Sequence, residues 1–258
     1  MTTVTCIESN LDFEKNQYAC FLIEPLEMSQ GITLGNALRR TLLSDLSSYA
    51  ITGLRINNVK HEFATIDGLR EDILEIILNL KEVILKSSFL SKAKTKKWKG
   101  FLNVQGPLIV TAGMFKLPKH VLTILNPEQY ICTLVDSSSF YLEIDIEQGA
   151  GYQLIEERKK KKEISRFRSG KPSTLLIDAL FMPIRKVNYK IKLIHDTQGN
   201  IKESLCLEIW TNGSITPKRS LQESIKLLIN LFYPLLVTPY FLQLSNFHSS
   251  SPQNKNIN

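Results

Sequence analysis

The sequence is short of cysteine, and its four cysteines, Cys6, Cys20, Cys132 and Cys206, lie far apart along the chain. None of them belongs to a C-x-x-C pair or to a Cys/His cluster. This spacing argues against a zinc site and a disulfide framework, and it is typical of a protein from a reducing compartment. The histidines are equally scattered, so we expect no metal site.

Long apolar runs are also missing. The longest, residues 227–237, contains Asn230 and Pro234 and is far shorter than the ~20 residues that a membrane-spanning helix needs. The first fifteen residues, MTTVTCIESNLDFEK, lack the apolar core of a signal peptide. We therefore expect neither a signal peptide nor a membrane partner.

Motifs of nucleotide and hydrolase chemistry are absent, including G-x-x-x-x-G-K-[ST], G-x-G-x-x-G, H-E-x-x-H and G-x-S-x-G. Glu143, Asp145 and Glu147 could hold a metal ion for phosphoryl transfer. They alternate with leucine and isoleucine, which is typical of the solvent face of a half-buried strand, and we interpret them that way. We expect no catalytic residue, no cofactor and no small-molecule ligand.

The chain is long enough, and apolar enough, to form a substantial hydrophobic core. The 258 residues are 43% hydrophobic and 22% charged, which is ordinary for a globular protein of one large or two modest domains. The formal net charge is +7, and most of the excess lies in KAKTKKWK (92–99) and RKKKKEISRFR (158–168). Both segments mix aromatic with basic residues. This leaves open solvated loops, which we favour, or a nucleic-acid contact.

The segment 33–46 is predicted to be a helix with an unusual centre. Leu34, Leu38 and Leu42 repeat every four residues, and Thr33 can cap the first turn. The apolar repeat predicts one broad buried face.

Arg39 and Arg40 stand in the middle of this helix, on a second face that they share with Leu43. A core helix with a solvated back would explain the pair. The alternative is a helix contacted on two sides, with its arginines directed at another subunit.

The clearest helical pattern is GLREDILEIILNLKEVIL (68–85), with Asp67 placed to cap it. Glu71, Glu75 and Glu82 line its polar face. Its apolar face is formed by Ile73, Ile76, Ile77, Leu80 and Ile84.

A last helix is predicted after TNGSITP, with Thr216 as its cap and Pro217 as its first residue. It carries an apolar stripe formed by Leu221, Ile225, Leu228 and Phe232. Leu227 and Leu231 widen the stripe beyond half the circumference. A second copy of the chain is the simplest cover for so apolar a helix.

Strands are predicted at 18–27, over 50–63 as two strands around an Asn57-Asn58 turn, and at 187–194 and 204–211. Between 100 and 147 the sequence predicts short strands separated by turns that contain proline.

Seven segments resemble signatures of the RNA polymerase alpha subunit family, and they occur in that family's order over roughly residues 7–235. They are GITLGNALRRTLL, VKHEFATIDGLREDILEIILNLK, GPLIVTAGMFKLP, LPKHVLTILNPEQYICTL, GAGYQLIEE, LLIDALFMPIRKVNYKI and EIWTNGSITPKRSL. The lysine-rich composition is most similar to that of the plastid-encoded branch.

The resemblance implies an α+β fold with a discontinuous dimerisation domain, in which helices lie on an antiparallel sheet, at 1–50 plus 172–238. It also implies an inserted β-rich domain at 51–171. We expect the polar tail, 239–258, to be disordered. The C-terminal DNA-binding module of the family has no counterpart here, so we expect DNA contact only through the complex.

The resemblance further implies a homodimeric scaffold that nucleates assembly of the polymerase β and β′/β″ subunits for DNA-templated RNA synthesis. The expected dimer seam comprises Leu38, Leu42, Leu221, Ile225, Leu228 and Phe232. The expected contacts to the large subunits are Arg39, Arg40, Leu43, Glu75 and Lys81. The implied location is the plastid (chloroplast stroma), with the bacterial cytoplasm as alternative. The competing hypothesis is a free nucleic-acid-binding protein that acts through its basic segments.

Overall fold

In the computed structural model, the described residues are 2–11, 16–57, 59, 61–87, 97–118, 121–156, 174–195 and 199–237. They form mostly antiparallel sheets, against which pack the helices α1 (Gln30–Ser44), α2 (Ile73–Lys81) and α3 (Pro217–Val237). The α+β class predicted from the sequence is confirmed.

The strands are numbered in chain order. Their bounds are β1 (Thr3–Leu11), β2 (Gln17–Leu26), β3 (Ser47–Ile56), β4 (Leu85–Ser87), β5 (Trp98–Gln105), β6 (Leu108–Thr111), β7 (Leu122–Ile124), β8 (Tyr130–Leu134), β9 (Ser139–Ala150), β10 (Tyr152–Gln153), β11 (Leu175–Leu176), β12 (Ala179–Leu180), β13 (Ile184–His195) and β14 (Ile201–Thr211). The first sheet has the order β1-β2-β14-β13. The second has the order β5-β9-β3-β4-β7, with β11 paired to β3. The pairs β6-β8 and β10-β12 form two short ladders.

The first sheet joins the two ends of the chain. β2 runs antiparallel to β14, and Phe21 stands opposite Leu207 in the register. Both side chains are buried beneath the helices, together with the fully buried Leu38 and Leu42 of α1. Because side chains alternate between the faces of a strand, the core takes every second residue of β2 and β14.

The second sheet carries a separate core under α2. Ile76 and Leu80 of this helix belong to the same buried cluster as Ile131 and Leu142. The apolar face predicted for α2 is therefore confirmed, except that Ile84 lies beyond the end of the helix.

The buried residues thus form two main clusters, and the chain passes from one to the other twice. The first change falls between Leu46 and Tyr49, and the second between Ile177 and Ile184. The division into a dimerisation domain and an inserted domain, with boundaries at 50/51 and 171/172, stays a prediction. The tail, 239–258, lies outside the described residues.

α1 begins earlier than predicted, and a distant carboxylate caps its first turn. The helix starts at Gln30, and the Thr33 hydroxyl, instead of capping, donates a hydrogen bond to the Ser29 carbonyl at 3.1 Å. The carboxylate of Glu203 on β14 accepts the backbone N–H groups of Ser29 at 3.0 Å and Gly31 at 2.8 Å. It satisfies donors that a helix start leaves open and places a negative charge at the positive end of the helix dipole. The predicted Thr33 cap is wrong.

Two other predicted element ends are also wrong. α2 begins at Ile73, so Asp67 lies in a turn before the helix and does not cap it. β3 ends at Ile56, and residues 61–63 form a bend and turn instead of part of a second strand.

Gly35 lets α1 lie directly on β13. A Cβ atom at this position would stand 2.7 Å from the ring of Tyr189. We expect Gly35→Ala to lower the free energy of unfolding by about 1–3 kcal/mol, because overpacking outweighs the better helix propensity of alanine. Urea unfolding of the isolated chain measures this loss. In a Tyr189→Leu background the loss should vanish, and an equal loss in both backgrounds would contradict the close-approach explanation.

Candidate subunit interface

The two arginines of α1 are both exposed, but they differ in their hydrogen bonds. Arg39 Nη1 donates a hydrogen bond to the carbonyl of Val187 on β13 at 2.7 Å. Arg40 is exposed, and its guanidinium forms no hydrogen bond or ion pair with any residue that the structure describes. Arg39 therefore fastens the helix to the first sheet, whereas the planar guanidinium of Arg40 is available to an external acceptor.

An open apolar groove of about 1080 Å³ runs between α1 and α3. One wall includes Leu34 and Ala37 of α1, and the other includes Leu228 and Phe232 of α3. Several of its side chains are largely uncovered, since Phe232 is 60% exposed. Contiguous apolar surface of this kind marks an interaction site, because water solvates it poorly.

α3 begins where the sequence predicted. Pro217 is its first residue, and the N–H of Arg219 donates to the Thr216 hydroxyl oxygen at 3.4 Å. In the described part of the chain, no helix, α3 included, is long and apolar enough to cross a membrane.

The residues predicted for the dimer seam fall into two groups. One group is already buried inside the chain, at most 4% exposed, and consists of Leu38, Leu42 and Leu221. The other group lines the groove with side chains that are at least partly exposed, and it consists of Ile225, Leu228 and Phe232. Leu38 also belongs to the groove wall, although it is fully buried. Side chains buried by their own chain offer almost no area to a second copy, so we assign the first group to the subunit core. The seam stays a prediction, and it depends on the second group.

Leu43 and Lys81, distant in sequence, line one cleft of about 550 Å³. Lys81 Nζ forms an ion pair with Asp178 at 3.2 Å, and Asp178 also accepts the N–H of Ile155 at 2.9 Å. Burial opposes ionisation of Asp178, but the Ile155 N–H and the Lys81 ammonium outweigh it and lower the pKa of this carboxyl. The ion pair therefore holds the Lys81 ammonium in place within this cleft.

Glu75 lies apart from these residues. It is exposed on α2 and lines a different cleft, of about 630 Å³, next to the half-exposed Leu78. The structure thus brings Leu43 and Lys81 together but leaves Glu75 on a separate surface.

Glu71 is buried, not exposed as the helical pattern predicted, because α2 begins only after it. Its side chain accepts hydrogen bonds from the Tyr130 hydroxyl and, at 2.7 Å, from the N–H of Thr133. Burial and the hydrogen bond to Glu71 raise the pKa of Tyr130. The Glu71 carboxylate therefore ties the segment before α2 to β8.

The acidic residues of β9 are paired with cations. Arg55 bridges Glu143 at 3.1 Å and Asp145 at 2.9 Å. The hydrogen bond from Lys99 lowers the pKa of Glu143, with Arg55 adding to the effect. Their interpretation as the solvent face of a strand is confirmed by the alternating burial along β9. Among the residues described, no cluster of three or more His, Cys, Asp or Glu side chains could hold a metal ion.

The two basic segments lie mostly outside the described residues, which include neither 92–96 nor 158–168. Of the first segment, Lys97 pairs with Glu147 at 3.2 Å and Lys99 pairs with Glu143. These two ammonium groups neutralise carboxylates of their own chain.

Comparison with known proteins gives concordant matches. The family model described as RNA polymerase Rpb3/RpoA insert domain matches residues 54–182. The DNA-directed RNA polymerase subunit alpha of Gracilaria tenuistipitata var. liui is 45% identical over 232 residues, covering 90% of this chain and 69% of the relative. That of Rhodomonas salina is 46% identical over 232 residues, with the same coverage of 90% and 69%. That of Trichormus variabilis is 44% identical over 232 residues, covering 90% of this chain and 70% of the relative.

The buried Glu71 and the exposed Glu75 should contribute differently to the stability of the fold. We expect Glu71→Ala to lower the free energy of unfolding by about 1–3 kcal/mol, because the Tyr130 hydroxyl and the Thr133 N–H lose their acceptor. Glu75→Ala, the matched removal of an exposed carboxylate, should change it by less than about 0.5 kcal/mol. Urea unfolding measures both variants, and equal losses would show that Glu71 has no special structural role.

Proposed function

Because the chain belongs to the family of DNA-directed RNA polymerase alpha subunits, we propose that it is the assembly scaffold of such a polymerase. It dimerises, and the dimer binds the β subunit and a β′-type subunit (β′ or β″). DNA-templated RNA synthesis, a nucleotidyl transfer, belongs to the complex, in which this chain binds subunits. The observation that carries the proposal is the exposed apolar groove between α1 and α3, together with Arg40 of α1, whose guanidinium has no partner among the residues that the structure describes.

The groove supports a homodimer because each copy supplies both a groove and an apolar helix end. Such self-complementary surfaces meet across a two-fold axis. Ile229 is 56% exposed and Leu236 71% exposed in the isolated chain. Covering a side chain of this kind contributes roughly 1.5–3 kcal/mol when burial is complete. Several of them at one seam, counted on both copies, provide the driving force for association.

Arg40 is the proposed direct contact to the β subunit. Its guanidinium is charged, exposed and unpaired within the described part of the chain, and it can form two parallel hydrogen bonds to a carboxylate. Arg39 acts indirectly, because its hydrogen bond to Val187 holds α1 on the sheet.

The other proposed contacts to the large subunits lie on two surfaces. Leu43 and Lys81 line one cleft, and Glu75 lies on another surface. Separate surfaces suit a dimer whose two copies meet different partners. The competing hypothesis of a free nucleic-acid binder gains no support from Lys97 and Lys99, since both are paired with carboxylates. Contact with DNA is proposed only through the complex.

The proposed location is the plastid. The relatives include algal alpha subunits such as that of Gracilaria tenuistipitata var. liui, and the lysine-rich composition resembles that of the plastid-encoded branch. The match to Trichormus variabilis keeps the bacterial cytoplasm as the alternative.

If the groove forms the dimer seam, charged substitutions in it should prevent dimerisation. Replacing both Leu228 and Phe232 by Asp should give monomers, because dimerisation would bury carboxylates in an apolar seam at a cost of several kcal/mol. Sedimentation velocity across a concentration series measures the dimer. Phe63→Asp, at a 75% exposed phenylalanine that does not line the groove, is the matched control and should dimerise normally. A full-strength dimer of the double variant would place the seam elsewhere.

Replacing each of the two arginines should impair a different property, partner binding for Arg40 and stability for Arg39. Arg40→Ala should fold and dimerise like the wild type but bind the β subunit at least about 30-fold more weakly, since losing one partner of an interfacial charge pair costs ~2–5 kcal/mol. Arg39→Ala should instead lower the free energy of unfolding by about 1 kcal/mol or more. Reconstitution with purified β subunit and urea unfolding make the two measurements. Normal β binding by Arg40→Ala, or loss of its fold, would refute the assignment.

A further inference from the structure

Two cysteines that lie 186 positions apart in the sequence are neighbours in the first sheet. The sulfur atoms of Cys20 on β2 and Cys206 on β14 are 2.9 Å apart. Cys20 stands opposite Glu208 and Cys206 opposite Leu22, so the cysteines are diagonal neighbours on one face of the sheet. That face is the one turned away from α1 and α3, because the alternate residues of both strands form the core beneath the helices.

We propose that Cys20 and Cys206 form a dithiol site that a low-molecular-weight disulfide, such as glutathione disulfide, oxidises to an intrachain disulfide. Both residues are free thiols in this structure. A disulfide bond is about 2.0 Å long, so the two sulfur atoms need to approach by less than about 1 Å.

Cys206 reacts first because its side chain is the more accessible of the two. Cys20 is only 6% exposed, whereas Cys206 is half-buried. Burial, and the hydrogen bond to Cys206, raise the pKa of Cys20 to about 12. The thiolate is the attacking species in disulfide exchange, so Cys20 is a poor first nucleophile and serves as the resolving thiol.

The exchange takes place in two balanced steps. The Cys206 thiolate attacks one sulfur of glutathione disulfide, which forms a mixed disulfide and releases one glutathione thiolate. The Cys20 sulfur then gives its proton to water, attacks the Cys206 sulfur and expels the second glutathione thiolate. The two cysteines lose two electrons and two protons, and one glutathione disulfide is reduced to two glutathione molecules.

The other two cysteines are placed differently and provide controls. Cys132 is fully buried in the cluster of the second sheet, and burial raises its pKa to about 12. Cys6 is exposed on β1, opposite Phe21, and its thiol donates to the Glu8 carbonyl at 3.4 Å. An oxidant that acted on exposure alone would therefore modify Cys6, whereas pairing selects Cys20 and Cys206.

The bond is expected to be reversible. Diagonal neighbours on antiparallel strands have Cα atoms roughly 7–8 Å apart, beyond the usual range of about 4.4–6.8 Å in disulfides. The strands must close slightly to form the bond, and strained disulfides are the more easily reduced ones. Its formation links β2, which leads into α1, to β14, which leads into α3.

The test uses the purified, reduced full chain with glutathione disulfide as the probe. Thiol titration of the unfolded Cys6→Ala chain, which lacks the exposed cysteine that glutathione disulfide would also modify, should show a fall from three free thiols to one. Mass spectrometry of a non-reducing digest should show a peptide pair joined through Cys20 and Cys206, which dithiothreitol separates. No partner subunit is needed, so the outcome is independent of the proposed function.

Variants test the order of the steps. Cys20→Ala should retain one glutathione on Cys206, because the resolving thiol is gone. Cys6→Ala, the control at an exposed cysteine, should still form the internal disulfide. The proposal is overturned if the wild-type chain stops at a mixed disulfide on Cys206, if the cross-link includes Cys6, or if Cys20 and Cys206 stay reduced while Cys6 reacts.

Discussion

The pairing of β2 with β14 is the contact on which the other features of this subunit depend. The two strands come from opposite ends of the chain, and their antiparallel register places α1, which follows β2, beside α3, which follows β14. The apolar groove exists because these two helices share one face of the sheet. The same sheet brings Glu203 to the first turn of α1 and Cys20 to Cys206. The apolar groove therefore depends on the pairing of two strands that are far apart in the sequence.

α1 performs several tasks because its faces meet different surroundings. Leu38 and Leu42 fill the core, Leu34 and Ala37 form one wall of the groove, and Arg40 stays exposed. Glu203 anchors the start of the helix, and the hydrogen bond from Arg39 to β13 anchors its middle. A helix held at both points presents its exposed residues in a fixed orientation, which lowers the entropy cost of binding a partner.

Features set by near neighbours in the chain could be predicted from the sequence. The apolar faces of the helices, the start of α3 at Pro217 and the solvent face of β9 follow from spacing and capping chemistry. Features that depend on residues far apart in the sequence could not be predicted in this way. Glu203 caps α1 from 172 positions away, and the acceptor role of Glu71 requires Tyr130, 59 positions along the chain. β1 is exposed along its whole length, so it lacks the apolar alternation that reveals a strand. The hydrogen bond that Arg39 donates to Val187, which Arg40 does not share, likewise depends on where β13 lies.

Cross-linking across the groove is the most direct test of the proposed dimer seam. A photoreactive phenylalanine analogue at position 232 is introduced into chains of light and heavy isotope composition, which are then unfolded, mixed and refolded together. If the groove of one copy receives α3 of the other, cross-links should join light to heavy peptides and end within residues 28–38. Exclusively light–light and heavy–heavy pairs, or cross-links that end outside this stretch, would show that a second copy does not cover the groove.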